Sequence, residues 1–165
     1  MNNKSLSKTS EQMVEAIFAL NLEPIKMKLM DQKEGQGWTS AQANFYELEY
    51  KRFLALLAKF PDDVIAPNTS VDKFWHAHIL DTVKYAQDCQ NVFGYFLHHY
   101  PYFGLRGEQD AANLAEAAVR MRRLYEQEFG TANATEAGAS WCCKADDKVA
   151  AAATDVSWCC KADDK

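Results

Sequence analysis

The chain has 165 residues, enough for one domain with a real buried core and little more. Its hydrophobic share of 48% and charged share of 25% are globular proportions, which excludes a wholly disordered or fibrous chain. A net charge of −5 and a pI near 5.4 argue against nonspecific nucleic-acid binding, which needs a basic face.

The first nine residues read as loose, and Ser10 is placed to cap a helix over 10–20 with Met13, Ile17 and Leu20 on one side. A second short helix is expected over 22–32, with Pro24 tolerated in its first turn and Ile25, Leu29 and Met30 inward. Gly35 and Gly37 mark a loop, and Trp38 is an aromatic anchor behind it. Thr39 or Ser40 then caps a third helix running to about Phe60, where Pro61 ends it. Tyr46, Tyr50, Phe53, Leu57 and Phe60 follow helical spacing, and core packing explains that stripe better than an aromatic ligand cage.

Residues 70–104 hold all four histidines and Cys89, the one cysteine outside the tail. The pattern predicts one continuous helix from Thr69 or Ser70 as cap to Gly94 as stop. On that helix Val71, Trp75, His78, Ile79, Thr82, Ala86, Cys89 and Phe93 share a side. His76 points away from His78, because residues two apart diverge by roughly 200°. A helical zinc pair needs ligands at i and i+4, so His76 and His78 cannot chelate one ion from an unbroken helix. His78 and Cys89 share a side but would stand about 16 Å apart along the axis. A metal site drawn from His76, His78, Cys89 and His99 needs the segment after Gly94 to fold back. The plainer reading makes His78 a core histidine bonded to a backbone carbonyl and Cys89 a small buried hydrophobe.

Residues 95–107, YFLHHYPYFGLRG, form an aromatic loop suited to sealing the core or carrying function. The last helix is expected over 108–129 with Gly130 as its stop and Ala111, Leu114, Ala118, Met121 and Tyr125 inward. Arg120, Arg122 and Arg123 suggest an anion patch, but Glu116 and Glu126 at i,i+4 spacing make an ion-paired face the better reading. Period-2 alternation is missing throughout, so the expected fold is all-α: a bundle-like domain of about five helices over 1–130.

From residue 131 the composition turns to Ala, Thr, Asp and Lys, and a flexible, disordered tail is expected over 131–165. The nonapeptide SWCCKADDK at 140–148 recurs unchanged at 157–165. Each copy keeps the residues that are costliest to expose: Trp141, Cys142 and Cys143, then Trp158, Cys159 and Cys160. Four thiolates suit a soft ion such as Cu(I) or Zn(II), although adjacent cysteines are awkward on one tetrahedron. Tandem copies behind a folded domain also suit a peptide that another enzyme modifies.

The residues Tyr50-x-x-Phe53-Leu54-x-Leu56, Val71-Asp72-x-x-Trp75-His76-x-His78, Tyr85-x-x-Asp88-Cys89, Gly94 and His98-His99 resemble the glycine-rich-domain-containing protein family. The resemblance implies a mostly helical region and assigns no catalytic residue. It also implies a glycine-rich tail, which this chain replaces with its Trp-Cys-Cys repeats.

The functional expectation is a non-catalytic helical domain that presents the repeated tail, as a precursor peptide, to a modifying enzyme. The alternatives are soft-metal binding by the tail and a metal-dependent enzyme using His76, His78 and His99. The polar N-terminus lacks the apolar stretch of a signal peptide, and no run is long enough to span a membrane. A cytoplasmic protein with no membrane or nucleic-acid partner is therefore expected.

Overall fold

The computed structural model describes residues 8–130. The Trp-Cys-Cys repeats and the expectation of a disordered tail lie outside the described residues. Among those described there are six α-helices and no strand, as the all-α reading requires. They are α1 (Ser10–Phe18), α2 (Glu23–Met30), α3 (Ser40–Lys59), α4 (Thr69–Leu80), α5 (Thr82–Val92) and α6 (Glu108–Phe129).

Helices α1 and α3 start on matching signals. Thr9 and Thr39 accept from the amides of Gln12 and Gln42, whose side chains accept from the Thr9 and Thr39 amides in return. The cap of α1 is thus Thr9 and not Ser10, because the reciprocal glutamine lies three residues after the threonine. Asn68, not Thr69 or Ser70, caps α4 through the Val71 amide.

Helix α3 is the axis of the domain, packed against α1, α2, α4 and α6. That encirclement buries Tyr50, Phe53, Leu54, Ala55 and Leu56, wider than the single stripe expected, while Tyr46, Leu57 and Phe60 are only partly covered. Side chains tie the neighbours to it. Lys26 of α2 donates to Asn44 and pairs with Glu47 at 2.8 Å each. On the opposite side Tyr125 of α6 donates to Glu49 Oε1 at 2.9 Å, and Arg52 Nη1 reaches the same oxygen at 2.8 Å. The inner face of α6 is Asp110, Ala117, Met121, Leu124 and Tyr125, so the expected stripe is rotated and Ala111 is exposed. Arg120 pairs with Asp63, in the segment after α3, and not with Glu116.

The expected continuous helix over 70–93 is broken in two, which raises the helix count from five to six. At Asp81 the backbone turns to φ −81° and ψ 72°, its amide bonds His78 O, and its carboxylate accepts from the Lys84 amide. One residue therefore ends α4 and caps α5. Aspartate competes for backbone amides in this way, and the hydrophobic period continues on both sides, so periodicity alone misses the break.

Candidate metal centre and pocket

Helix geometry and the folded-back loop sort the four candidate ligands into two places. His78 is 1% exposed and goes into the core. Its Nδ1 lies 3.0 Å from the Tyr50 hydroxyl, and its Nε2 lies 2.9 Å from Asp88 Oδ2. A carboxylate only accepts, so Nε2 carries the proton and Nδ1 accepts from Tyr50. Burial lowers the basicity of this imidazole against the pull of Asp88, and burial drives the Tyr50 phenol well above its usual range. Lys84 Nζ closes the chain at 2.8 Å from Asp88. The expected backbone-carbonyl partner is thus corrected to two side chains, which leave neither ring nitrogen free for an ion.

Cys89 is likewise a core residue, buried beside Tyr85 and Leu97, with burial raising its thiol pKa. A buried thiol of raised pKa is a poor thiolate donor. Trp75 Nε1 donates to the Tyr85 hydroxyl at 2.9 Å, and that hydroxyl donates to Leu97 O at 2.6 Å. These bonds fasten the aromatic loop after α5 onto α4.

Fastening the loop delivers His99 to the other face of α4. Its Nε2 lies 3.1 Å from Asp72 Oδ1 and 3.2 Å from His76 Nε2. His76 Nδ1 lies 3.6 Å from Asp72 Oδ2. The Trp75 ring packs against His99 at 4.6 Å between centroids and holds it there. Among the described residues this is the one group of three or more such side chains gathered closely enough to hold a metal ion. The structure therefore unites His76 with His99, as the metal reading needs, and separates both from His78 and Cys89.

Asp72 is the member that the sequence reading passed over. It precedes His76 by four residues, the spacing that puts two ligands on one helix face. Asp72 is 7% exposed, while 43% of the His76 side chain is open. A buried carboxylate under a half-open imidazole places the cluster at a boundary between core and solvent.

That boundary is the mouth of a pocket of about 390 Å³. Its walls are Leu57 of α3, Ile65 in the connection to α4, Leu97 and Phe103 of the aromatic loop, and Leu114 and Ala118 of α6. Asp72, His76, His98 and His99 supply polar groups to the lining. The loop wall is held by Asp110, which accepts from the Gly104 amide at 2.7 Å and from the Arg106 amide at 3.2 Å. Gly104 has φ +90°, which strains any residue with a side chain, and a Cβ there would also push Leu114 Cδ2, 2.5 Å away, aside.

Fold and site together define an all-α domain with a His-His-Asp cluster at the edge of an apolar pocket. The UCP032817-like family model matches residues 12–128, and the chain belongs to that uncharacterised family. This corrects the resemblance to glycine-rich-domain-containing proteins. Several residues that carried it, among them Tyr50, Phe53, Trp75, His78 and Tyr85, are buried packing residues here, and aromatic residues at helical spacing recur wherever such a core is built. No curated protein and no solved structure matches the chain. No helix of the described residues is long and apolar enough to cross a membrane.

Proposed function

We propose that this domain holds one divalent transition-metal ion on Asp72, His76 and His99 and uses it to bind a small molecule in the adjoining pocket. The position of His99 Nε2 carries the reading. That nitrogen has one in-plane valence, yet it faces a carboxylate oxygen at 3.1 Å and a second imidazole nitrogen at 3.2 Å. As a donor it must divide one N–H between two acceptors; as an acceptor it faces the carboxylate lone pairs. An ion between the three groups removes the conflict. Bonds of about 2.0 Å at tetrahedral angles separate ligand atoms by about 3.3 Å, close to the two spacings found.

Two imidazoles and one carboxylate suit Zn(II) or Fe(II) better than Cu(I), which prefers sulfur. Three protein ligands leave a coordination position open, the pattern of zinc sites that bind an exogenous molecule and act on it as a Lewis acid. The test uses the full chain with Cys142, Cys143, Cys159 and Cys160 changed to Ser, so that tail thiols contribute nothing. It should retain one equivalent of zinc after dialysis and lose it on His76→Ala or His99→Ala with helical content unchanged. Zinc retained in both variants refutes the site.

A second reading concerns the tail, and the identity of the two nonapeptides at 140–148 and 157–165 favours it. Both copies lie beyond the family match, which ends at residue 128. On this reading the domain is a handle, and each Trp-Cys-Cys unit is the substrate of a modifying enzyme. Intact mass of the protein from its native host should show two equal increments. An unmodified chain that takes up Cu(I) through its thiols supports soft-metal binding by the tail instead.

A further inference from the structure

The pocket joined to the Asp72–His76–His99 cluster has a shape and charge that restrict what it can take. We infer that its ligand is a monoanion with a compact apolar body, aromatic or branched, whose oxygen head binds the ion where the three protein ligands leave it open. The inference rests on the metal reading above and adds the ligand class to it.

Volume sets the first limit. About 390 Å³ lies at the small end of the range for small-molecule sites, which favours a compact ligand over a peptide of several residues. The walls set the second. Leu57, Ile65, Leu97, Phe103, Leu114 and Ala118 make the lining largely apolar, and outside the cluster Thr69, His98 and Tyr100 are its few uncharged polar side chains, so a sugar or polyol would find few partners for its hydroxyls. Charge sets the third. No lysine or arginine lines the pocket, and the lining carboxylate of Asp63 is already paired with Arg120. A divalent ion on the Asp72 carboxylate and two neutral imidazoles leaves a net charge of +1, from +2 and −1. One anionic head balances that charge, whereas a phosphate dianion overshoots it with no lysine or arginine in the lining to help. Trp75 also lines the pocket and packs on His99, so a body seated against it lies next to the ion.

The test loads the full chain carrying the four tail Cys→Ser changes with Co(II) and titrates two hydroxamates with the same monoanionic head. Benzohydroxamate carries a ring for the pocket; acetohydroxamate carries a methyl group. Visible absorption of the cobalt reports both. Benzohydroxamate should bind about tenfold tighter or better, the expected effect of burying a ring in place of a methyl group. Ala118→Trp, which fills the pocket from α6, should abolish that preference while cobalt uptake stays unchanged. Ala118→Leu should reduce it if the larger change disturbs folding. Cobalt held by Asp72, His76 and His99 with both hydroxamates bound within twofold overturns the ligand class and leaves the metal site standing. Failure to take up cobalt at all overturns both.

Discussion

His78 Nε2 lies 2.9 Å from Asp88 Oδ2, across the break between α4 and α5. The bond locks the two helices at their junction and gives the buried imidazole an acceptor. Asp88→Ala should leave the His78 N–H unsatisfied in the core and cost about 1–3 kcal/mol. Urea unfolding measures it, and an unchanged midpoint would show that the junction does not depend on this pair.

The same imidazole makes stability depend on pH. Burial lowers its pKa below the ordinary 6.5, so the unfolded chain binds the proton more readily than the folded one. The contribution is fully present above pH 6.5 and is lost as pH falls from there through the lowered folded value. Unfolding curves of the parent and His78→Gln should differ less and less as pH drops through that window. A difference that stays constant would contradict the assignment.

Glu49 works in the opposite direction. Burial raises its pKa against the hydrogen bond from Tyr125 and the charge of Arg52, and its Oε2 is buried without a hydrogen-bond partner. The folded state therefore holds a proton that the unfolded chain releases above about pH 4.5. Its contribution is present below that value and is lost as pH rises through the raised one. Tyr125→Phe removes a donor from Glu49 Oε1 and should cost about 1–2 kcal/mol near neutral pH. The deficit should shrink in acid as Glu49 protonates; thermal unfolding at two pH values checks both statements.

Asp81→Ala removes the side chain that caps α5 and should destabilise the domain by about 1 kcal/mol. Removing the cap also favours the straight helix that the hydrophobic pattern alone would build. The Tyr50–His78–Asp88 chain then loses its geometry, so amide exchange should quicken at Tyr85 and Cys89 before it does on α3. Uniform exchange across α3 and α5 would contradict a localised effect.

The helices were legible where one local signal dominated. Thr39 with Gln42, Pro61, and the acidic start and Gly130 stop of α6 mark their ends in the sequence itself. The break at Asp81 was not, because its cause is a side chain outcompeting the next turn of helix, and the apolar period runs through it undisturbed. The cluster was half legible. Asp72 and His76 stand at ligand spacing, but joining His99 to them depends on Trp75 and Tyr85 anchoring the loop through Leu97 O, a tertiary contact with no local signature. Helical geometry turns His78 from His76 into the core, as their two-residue spacing implies, whereas its partners Tyr50 and Asp88 have no local signature.

Zinc-edge X-ray absorption of the full chain with the four tail Cys→Ser changes and one equivalent of zinc tests the metal centre most directly. The structure predicts a shell of nitrogen and oxygen at about 2.0 Å containing two imidazoles. A shell without imidazole, or a sulfur at about 2.3 Å from Cys89, would contradict it.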